Sequence, residues 1–511
     1  MKKIMDKQGL YLSMLLYLFL YIVAWPLYRY VFDVDGVGYC VVAEHIASGN
    51  WSRAVNGFWS PLHSWLVAPL LKCGLVTRDA FFVTNALISM LVLLLLNSLQ
   101  LHLKMSKQLQ MPMLFCAVIL LLHFTYFQLA ADILLLPFLL GYLLLLLRDD
   151  FFSNRNIQVY CALLVSLAYF AKTYALPFLM IIHLLVFFQQ YFSKQKVQWV
   201  NLFVFLLITL VICLPWVWLI SNKYELFTIG NSSSLNQSWF LGEPVSRTAF
   251  FRSPYYANSV GWWEDPFYSQ DRFVNMFTSV HYFSKQIKVF FYNIPRLLNV
   301  LVHFSALSVS ILLGLFYFTF YRKEKSFTSI AIFTIIYPLG YLLTFVEDRY
   351  LWIFQLLLLL TGSILLQNLF TQINFRKHWK FALLFFFYIS FLLQPINNLK
   401  DAAVNEQGKE KFEIAAYLRT HCKGVNFTSN TRSSEGQVIA YLAGKRFFHL
   451  NKRDYTFFHL KEEMKKQHIT MLLYYYSSAH EKHAAVTEFT GKEDIHVTEI
   501  KPGVLVFELI Q

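Results

Sequence analysis

The chain has 511 residues, of which 57% are hydrophobic and only 14% charged, and its net charge is +14. A soluble protein of ordinary composition carries about 25% charged residues, so the composition excludes an ordinary soluble domain. In a soluble protein, so positive a charge would suggest that nucleic acid is a partner. The basic residues, however, gather in short tracts between apolar blocks. We therefore expect no nucleic acid, and a lipid bilayer as the partner that explains the charge.

Apolar stretches of about twenty residues recur along the first four fifths of the chain. Stretches of that length cross a hydrocarbon core about 30 Å thick when they are helical, and helices satisfy the backbone without water. The sequence thus predicts an α-helical polytopic membrane domain over residues 1–399 with about eleven transmembrane helices. The predicted spans are residues 10–30, 80–102, 111–127, 131–148, 157–172, 174–192, 198–220, 298–321, 327–346, 350–370 and 380–397.

Alternate connections between these spans are basic. The tracts are Lys104 with Lys107, Arg148 with Arg155, Lys194 with Lys196, Arg322 with Lys323 and Lys325, and Arg376 with Lys377 and Lys380. Together with the lysines before the first span they mark the cytoplasmic side. We expect a cytoplasmic N-terminus, with loops 31–79 and 221–290 outside a bacterial inner membrane. The fifth and sixth spans nearly touch at residues 172–174, but merging them would place five basic tracts outside.

The segment 400–511 has a different character, because it is charged and alternates between helix and strand patterns. About 110 residues are enough for a small domain with its own core, so we expect an extracytoplasmic α/β domain. The predicted helices are residues 412–421, 436–442 and 457–466, and the predicted strands are residues 425–428, 469–476, 496–500 and 504–509.

Two carboxylates, Asp33 and Asp35, follow the first span directly. At the boundary between water and lipid, desolvation raises the pKa of such a group toward that of a useful base. Capping of the next helix explains the two residues equally well on spacing alone, and a bare Asp-x-Asp pattern is common by chance. The segment 39–47 that follows has helical spacing and is suited to lie flat on the membrane.

Three further ionisable residues sit at outer ends of spans: Asp132 opens the fourth, Lys172 ends the fifth and Arg349 opens a late one. Each has a simpler explanation taken alone: the helix dipole for Asp132, snorkelling for Lys172, and a local ion pair with Glu347 for Arg349. Ionisable residues at membrane depth nevertheless indicate function. Together with Asp35 these are four such residues on one side of the membrane, which is a stronger argument than any one of them. Lysine and arginine also suit a phosphate group.

These residues, in this order, resemble the membrane glycosyltransferases of the GT-C fold, such as the protein O-mannosyltransferases and the bacterial lipid A aminoarabinose transferases. The matching positions are Asp35, Tyr39 and Ala43, then Gly49-Asn50-Trp51, then Pro61-Leu62-His63-Ser64-Trp65, then Asp132 and Lys172, and finally Arg349-Tyr350-Leu351. The resemblance covers nearly the whole chain, although each motif is loose. An outer α/β tail is also common in that family.

The resemblance implies an inverting transfer of a hexosyl or pentosyl group. The donor would be a sugar on a polyprenyl phosphate such as undecaprenyl phosphate, and the acceptor an extracytoplasmic hydroxyl on a lipid, a glycan or a protein. Asp35 would be the general base, and Asp132 would orient the acceptor or tune Asp35. Lys172 and Arg349 would stabilise the departing phosphate.

One departure from the family pattern concerns the carrier phosphate. The aminoarabinose transferases place a lysine before a Pro-Pro-Leu element, where this chain has Trp59 and Ser60. This weakens any inference of aminoarabinose specificity and leaves Lys172, Arg349, Arg53 or His63 to hold the phosphate. The remaining substrate-binding candidates are Asp33, Tyr39, Glu347 and Tyr350.

Neither a metal nor another cofactor is required by the sequence. No pair of the six cysteines has metal-site spacing, and the histidines show no ligand pattern. A divalent cation is compatible with the chain but not indicated.

Three other functions remain as alternatives. A transporter or flippase would need Gly- or Pro-interrupted spans repeated in two halves, which the sequence lacks. An O-antigen polymerase or ligase would need an outer loop richer in Arg and His than residues 221–290. A non-catalytic membrane protein whose tail binds a partner would keep its function without Asp35.

Overall fold

The computed structural model describes residues 2–193, 197–242, 249–270, 272–322, 324–406, 408–452, 455–490 and 495–509, without the side chains of residues 2–7, 325 and 405. Of the residues considered above, Lys194, Lys196 and Lys323 lie outside this part of the chain.

The described residues are mostly helical. The helices are α1 (Lys2–Ala24), α2 (Val34–Ala47), α3 (Trp51–Ala54), α4 (Pro61–Lys72), α5 (Thr77–His102), α6 (Lys107–Phe127), α7 (Asp132–Leu146), α8 (Arg155–Ala171), α9 (Ala175–Phe192), α10 (Trp199–Tyr224), α11 (Ser232–Phe240), α12 (Val280–Phe304), α13 (Ser308–Tyr317), α14 (Lys325–Ile336), α15 (Leu339–Leu342), α16 (Trp352–Gln372), α17 (Lys377–Asn405), α18 (Lys409–His421), α19 (Ser433–Ala443), α20 (Phe457–Lys466) and α21 (Ala479–Thr490). Short 3₁₀ turns cover Trp25–Tyr28, Trp262–Glu264, Pro266–Ser269 and Asp348–Leu351, and a π turn covers Phe318–Arg322.

The predicted multi-pass helical fold is confirmed. Seven helices in the described part of the chain are long and apolar enough to cross a membrane, and α12 with α13 makes an eighth if the bent pair is one span. Asp132–Leu146 and Ser326–Leu342 are shorter apolar helices, and α8 has 17 residues. Each of the predicted spans therefore coincides with helical structure.

One predicted span, residues 298–321, is wrong in its shape. Helix α12 begins much earlier, at Val280, and the chain bends by 101° before α13 continues. The hydroxyl oxygens of Ser305 and Ser390 are 2.6 Å apart, within hydrogen-bonding distance. The Ser305 hydroxyl oxygen also accepts from the Leu307 amide at 3.1 Å, and these contacts fix the bend. The start was missed because polar residues such as Lys285 and Lys288 interrupt the apolar run of α12, so that its first half looks like a loop.

The junction between the fifth and sixth spans is a real helix break. Helix α8 ends at Ala171 and α9 begins at Ala175, while Lys172 has an extended backbone with φ −156° and ψ 119°. The two helices are therefore separate elements, as the charge pattern had indicated.

The predicted C-terminal α/β domain is confirmed, with a six-stranded sheet. Its strands are β1 (Phe251–Arg252), β2 (Asn426–Ser429), β3 (Arg446–Leu450), β4 (Met471–Tyr475), β5 (Ile495–Lys501) and β6 (Val504–Leu509), in the order β1-β3-β2-β4-β6-β5. Strand β2 is parallel to β3 and β4, and the other pairs are antiparallel. Every helix and strand predicted for this domain is present, whereas β3 and α21 were not predicted.

Apolar side chains cover both faces of this sheet. Phe448, Leu472 and Phe507 pack with α20 and α21 on one face, while Phe427 and Phe447 pack with α18 and α19 on the other. The edge strand β1 comes from loop 221–290, so that the outer loop completes the sheet of the tail. A two-residue strand carries no periodic signal, and this link could not be predicted.

Helix α19 docks the C-terminal domain onto α2. The Tyr441 hydroxyl donates to Glu44 Oε1 at 2.5 Å, and the Thr77 hydroxyl donates to the same oxygen at 2.7 Å. The Tyr441 ring also packs on Phe32, with ring centroids 5.4 Å apart. The domain therefore rests on the helix that carries Asp35.

Candidate active site

A cavity of about 910 Å³ lies where α1, α6, α7 and α16 meet the loops and the C-terminal domain. Eight of the ten predicted site residues line it. They are Asp33, Asp35, Tyr39, Asp132, Lys172, Glu347, Arg349 and Tyr350. The four span-end charges on which the sequence argument depended are thus brought together from positions far apart in the chain.

Arg349 joins three of the acids. It lies in the 3₁₀ turn before α16 and is only 9% exposed. Its Nη2 donates to Asp35 Oδ2 at 2.7 Å and its Nε to Glu347 Oε2 at 2.7 Å, with Asp132 Oδ2 3.9 Å from Nε. The local pair with Glu347 exists, but it is one of several contacts. A buried guanidinium needs such partners, and its planar fork can serve two carboxylates at once.

Lys172 faces the cavity and does not snorkel away from it. Its ammonium forms an ion pair with Asp132 and lies 3.9 Å from the ring centroid of Tyr350. The ammonium is also 5.6 Å from the ring centroid of Tyr341, which stacks on Tyr350 at 4.9 Å, and aromatic rings at these distances are favourable for a cation. The helix break after Ala171 is what turns this lysine toward Asp132.

The two acids of the first loop have different partners, and only Asp33 stands at the capping position of α2. Asp33 occupies the N-cap position of α2, yet its Oδ2 accepts a hydrogen bond from Gln128 at 2.7 Å. Asp35 Oδ1 accepts from the Trp263 indole at 3.2 Å, while its other oxygen meets Arg349. Burial, together with the negative charge of Asp35, raises the pKa of Asp33 to about 6.

Tyr39 and Trp59 form part of the wall beside Asp35. Their rings meet edge to face with centroids 5.1 Å apart, and the Trp59 indole donates to the Trp263 carbonyl at 3.1 Å. Gly38 permits this packing, because a Cβ there would lie 2.2 Å from the Trp59 ring. The aromatic side chain at position 59 is therefore built into the site.

Arg53 and His63 do not line the cavity, so their position does not support the expectation that they hold the carrier phosphate. Arg53 forms an ion pair with Glu264 and donates to Ser259 Oγ at 2.6 Å, which ties the outer loop to α3. His63 is fully buried beside Phe81, and burial lowers its pKa to about 3, so the ring is neutral. Sequence spacing could not reveal these distant partners.

Trp263 is a site residue that the sequence did not single out. Besides donating to Asp35, it is held by α19: its backbone amide donates to Gln437 Oε1 at 3.0 Å, and the Trp262 indole donates to Ser433 Oγ at 2.9 Å. Trp263 and Asp35 are 228 positions apart. Two adjacent tryptophans before Glu264 were a visible cluster, but nothing local connects them with the first loop.

The described residues contain no group of three or more His, Cys, Asp or Glu side chains arranged to hold a metal ion. The expectation that the reaction requires no cofactor stays a prediction.

No family model and no curated protein matches the chain, but ten solved chains match its structure. ArnT from Cupriavidus metallidurans in the apo state is 12% identical over 96% of this chain and 97% of its own, with a TM-score of 0.52. The apo oligosaccharyltransferase of Archaeoglobus fulgidus is 11% identical over 92% of this chain and 69% of its own, with a TM-score of 0.55. Both have the GT-C fold, and this polytopic membrane protein has it too.

Proposed function

We propose that the protein is an inverting membrane glycosyltransferase that moves a sugar from a polyprenyl-phosphate carrier to an acceptor hydroxyl outside the bacterial inner membrane. The observation that carries the proposal is the cluster of Asp35, Arg349, Asp132 and Lys172 on the wall of one cavity, in which Arg349 and Asp132 are buried. The two structural neighbours, both GT-C glycosyltransferases, support the transferase class.

Lys172 and Arg349 are the groups that would hold the carrier phosphate. Both line the cavity, and both already neutralise acids there. As the bond between the sugar and the phosphate breaks, negative charge grows on the phosphate oxygens. Fixed cations in a site with little water stabilise that charge more than they stabilise the intact donor, and this difference is what accelerates the reaction.

Asp35 would receive the proton of the acceptor. The acceptor oxygen bonds to the anomeric carbon, its proton passes to a carboxylate oxygen of Asp35, and the bond from the anomeric carbon to the phosphate oxygen breaks with its electron pair staying on the phosphate. A carboxylate has about four lone-pair sites, and Arg349 and Trp263 each occupy one of them. A single base is enough for a one-step displacement with inversion, and it contributes about 10²–10⁴-fold in rate.

Asp33 would tune that base. It lines the same cavity and stands at the N-cap position of α2. When Asp33 is ionised, its negative charge adds to that of this wall and favours arrival of the acceptor proton there. Asp132 forms an ion pair with Lys172, and its proposed role is to orient the acceptor or tune Asp35.

The transporter alternative gains little from the one broken span. Its bend, at Ser305 and Leu307, does not contribute to the cavity wall, whereas the broken helices of transporters surround the substrate.

Turnover of a lipid-linked sugar tests the proposal. Purified protein in detergent would be given polyprenyl-phosphate carriers bearing different radiolabelled sugars, and release of label from the lipid would be followed. We expect one donor to turn over, with Asp35→Asn reducing the rate at least about 10²-fold. Asp79→Asn is the matched control, because Asp79 opens α5 and does not line the cavity. Equal rates for wild type and Asp35→Asn would contradict the assignment of the base.

A further inference from the structure

Helix α11 in the outer loop presents one uncharged face to the cavity. Ser232, Asn236 and Trp239 lie on that face, as their spacing of four and three residues requires. The opposite side is packed into the protein: Leu235 and Ser238 are fully buried, and the Ser238 hydroxyl donates to the Val274 carbonyl at 3.0 Å. The cavity wall here thus consists of a hydroxyl, an amide and an indole.

Trp239 and Trp263 form a stacked aromatic pair next to that face. Their rings stack with centroids 5.7 Å apart and planes 20° from parallel, and both line the cavity while only partly buried. The Trp239 indole donates to Gln270 Oε1 at 3.0 Å, which fixes the orientation of the ring. Indoles offer a large, rigid apolar area at a low entropic cost, and this suits the C–H face of a sugar ring.

The wall reaches from the proposed base to the proposed phosphate site. At one end the Trp263 indole lies 3.2 Å from Asp35 Oδ1. At the other end the residues that lead into α11 touch Thr173, next to Lys172: a Cβ on Gly230 would be 2.7 Å from the Thr173 side chain. A group bound between a phosphate at Lys172 and a base at Asp35 must therefore pass along this wall.

We propose that α11 and the Trp239–Trp263 pair form a subsite for an uncharged pyranose ring, which rests on the proposed function above. Uncharged hydrogen-bonding groups suit hydroxyls, whereas the ammonium of an amino sugar would call for a carboxylate, which neither the face of α11 nor the Trp239–Trp263 pair supplies. The position between Lys172 and Asp35 assigns the ring to the sugar of the donor. A neutral glycan acceptor has the same chemistry, and the experiment separates the two.

Binding of short carriers isolates the contribution of the sugar. Titration calorimetry in detergent would compare farnesyl phosphate, farnesyl-phosphoryl-glucose and farnesyl-phosphoryl-glucosamine. We expect glucose to tighten binding about tenfold over the bare phosphate, and glucosamine to lose that gain. Trp239→Leu should abolish the gain and leave affinity for farnesyl phosphate unchanged, whereas Trp239→Phe should keep most of it. Trp218→Leu is the matched control, because Trp218 lies on α10, is 61% exposed and does not line the cavity.

A second titration uses methyl glucoside, with and without farnesyl phosphate. It tests whether the subsite binds the sugar of an acceptor instead of that of the donor. If Trp239→Leu weakens only this binding, the subsite takes the sugar of an acceptor. If neither the gain from glucose nor the binding of methyl glucoside depends on Trp239, or if glucosamine binds better than glucose, the subsite is overturned. Failure of wild-type protein to bind any farnesyl phosphate would instead count against the proposed function, and the methyl glucoside titration still tests the subsite.

Discussion

Arg349 is the residue on which the charge balance of the site depends most. Its guanidinium serves Asp35 and Glu347 through different nitrogens, and a lysine ammonium cannot reproduce that fork. We expect Arg349→Lys to lower kcat on the order of 10²-fold. Arg349→Ala should in addition destabilise the fold by about 3–5 kcal/mol, because it leaves buried acids unpaired. Steady-state kinetics and thermal unfolding in detergent measure the two effects, and a wild-type kcat for Arg349→Lys would exclude this role.

Asp33 should determine the acid limb of the pH profile. Its pKa is raised to about 6, so that it takes up a proton as the pH falls through that value. The loss of its negative charge then weakens the attraction of this wall for the acceptor proton, and activity should fall below about pH 6. Asp33→Asn lacks that charge at every pH, so we expect a lower kcat at pH 7.5 and an acid limb moved to lower pH. An unchanged profile for Asp33→Asn would separate Asp33 from catalysis.

At this scale the sequence revealed the residues whose position is unusual for their charge. Asp132, Lys172 and Arg349 stand at outer ends of apolar spans, and topology alone predicts that they face the same side. Arg53 could not be judged in that way, because its partner Glu264 lies in a distant loop. The same holds for Trp263, which is 228 positions from its partner Asp35.

Among the elements, α19 controls the position of Trp263. Gln437→Leu removes the acceptor for the Trp263 amide, and an unpaired buried donor costs about 1–3 kcal/mol. We expect Trp263 to loosen from Asp35, kcat to fall several-fold, and the KM for the donor to change little. Gln467→Leu is the control, since Gln467 is exposed at the end of α20 in the same domain. Equal kcat values for the two variants would show that α19 does not act on the base through Trp263.

Elements with a regular pattern were predictable, and those that depend on a partner were not. The boundaries of α20 coincide with the predicted residues 457–466, because a helical alternation of apolar and charged residues marks both ends. Helix α12 was missed over its first half because its polar residues break the apolar run. Strand β1 exists only because β3 offers an edge, with Phe251 opposite Leu450.

For the whole molecule, the orientation in the membrane is the property with the plainest test. Cys73, at the end of α4, is the one exposed cysteine of the six, and the topology predicted from the basic tracts places it outside. An impermeant maleimide should label it in intact spheroplasts. Ser193→Cys in a Cys73→Ser background lies at the predicted cytoplasmic end of α9 and should react only after permeabilisation. Labelling in the reverse order would invert the topology and move the cavity to the cytoplasmic side.

The order and sidedness of the spans follow from hydropathy and charge, whereas the packing of the tail against α2 does not. Phe32 and Glu44 meet Tyr441 through side chains nearly 400 positions apart, and no local pattern encodes such a contact. The GT-C fold was therefore predictable as a sequence of helices with charges at defined ends. The cavity closed by the C-terminal domain was not.

The most direct test of the central claim is the configuration of the transferred sugar. With the donor that turns over, nuclear magnetic resonance would record the anomeric configuration of the glycoside that wild-type protein forms on the acceptor hydroxyl. A single displacement assisted by Asp35 predicts the configuration opposite to that of the donor, and no such product from Asp35→Asn. Retention of configuration would require a covalent intermediate on the enzyme and would contradict the one-base mechanism.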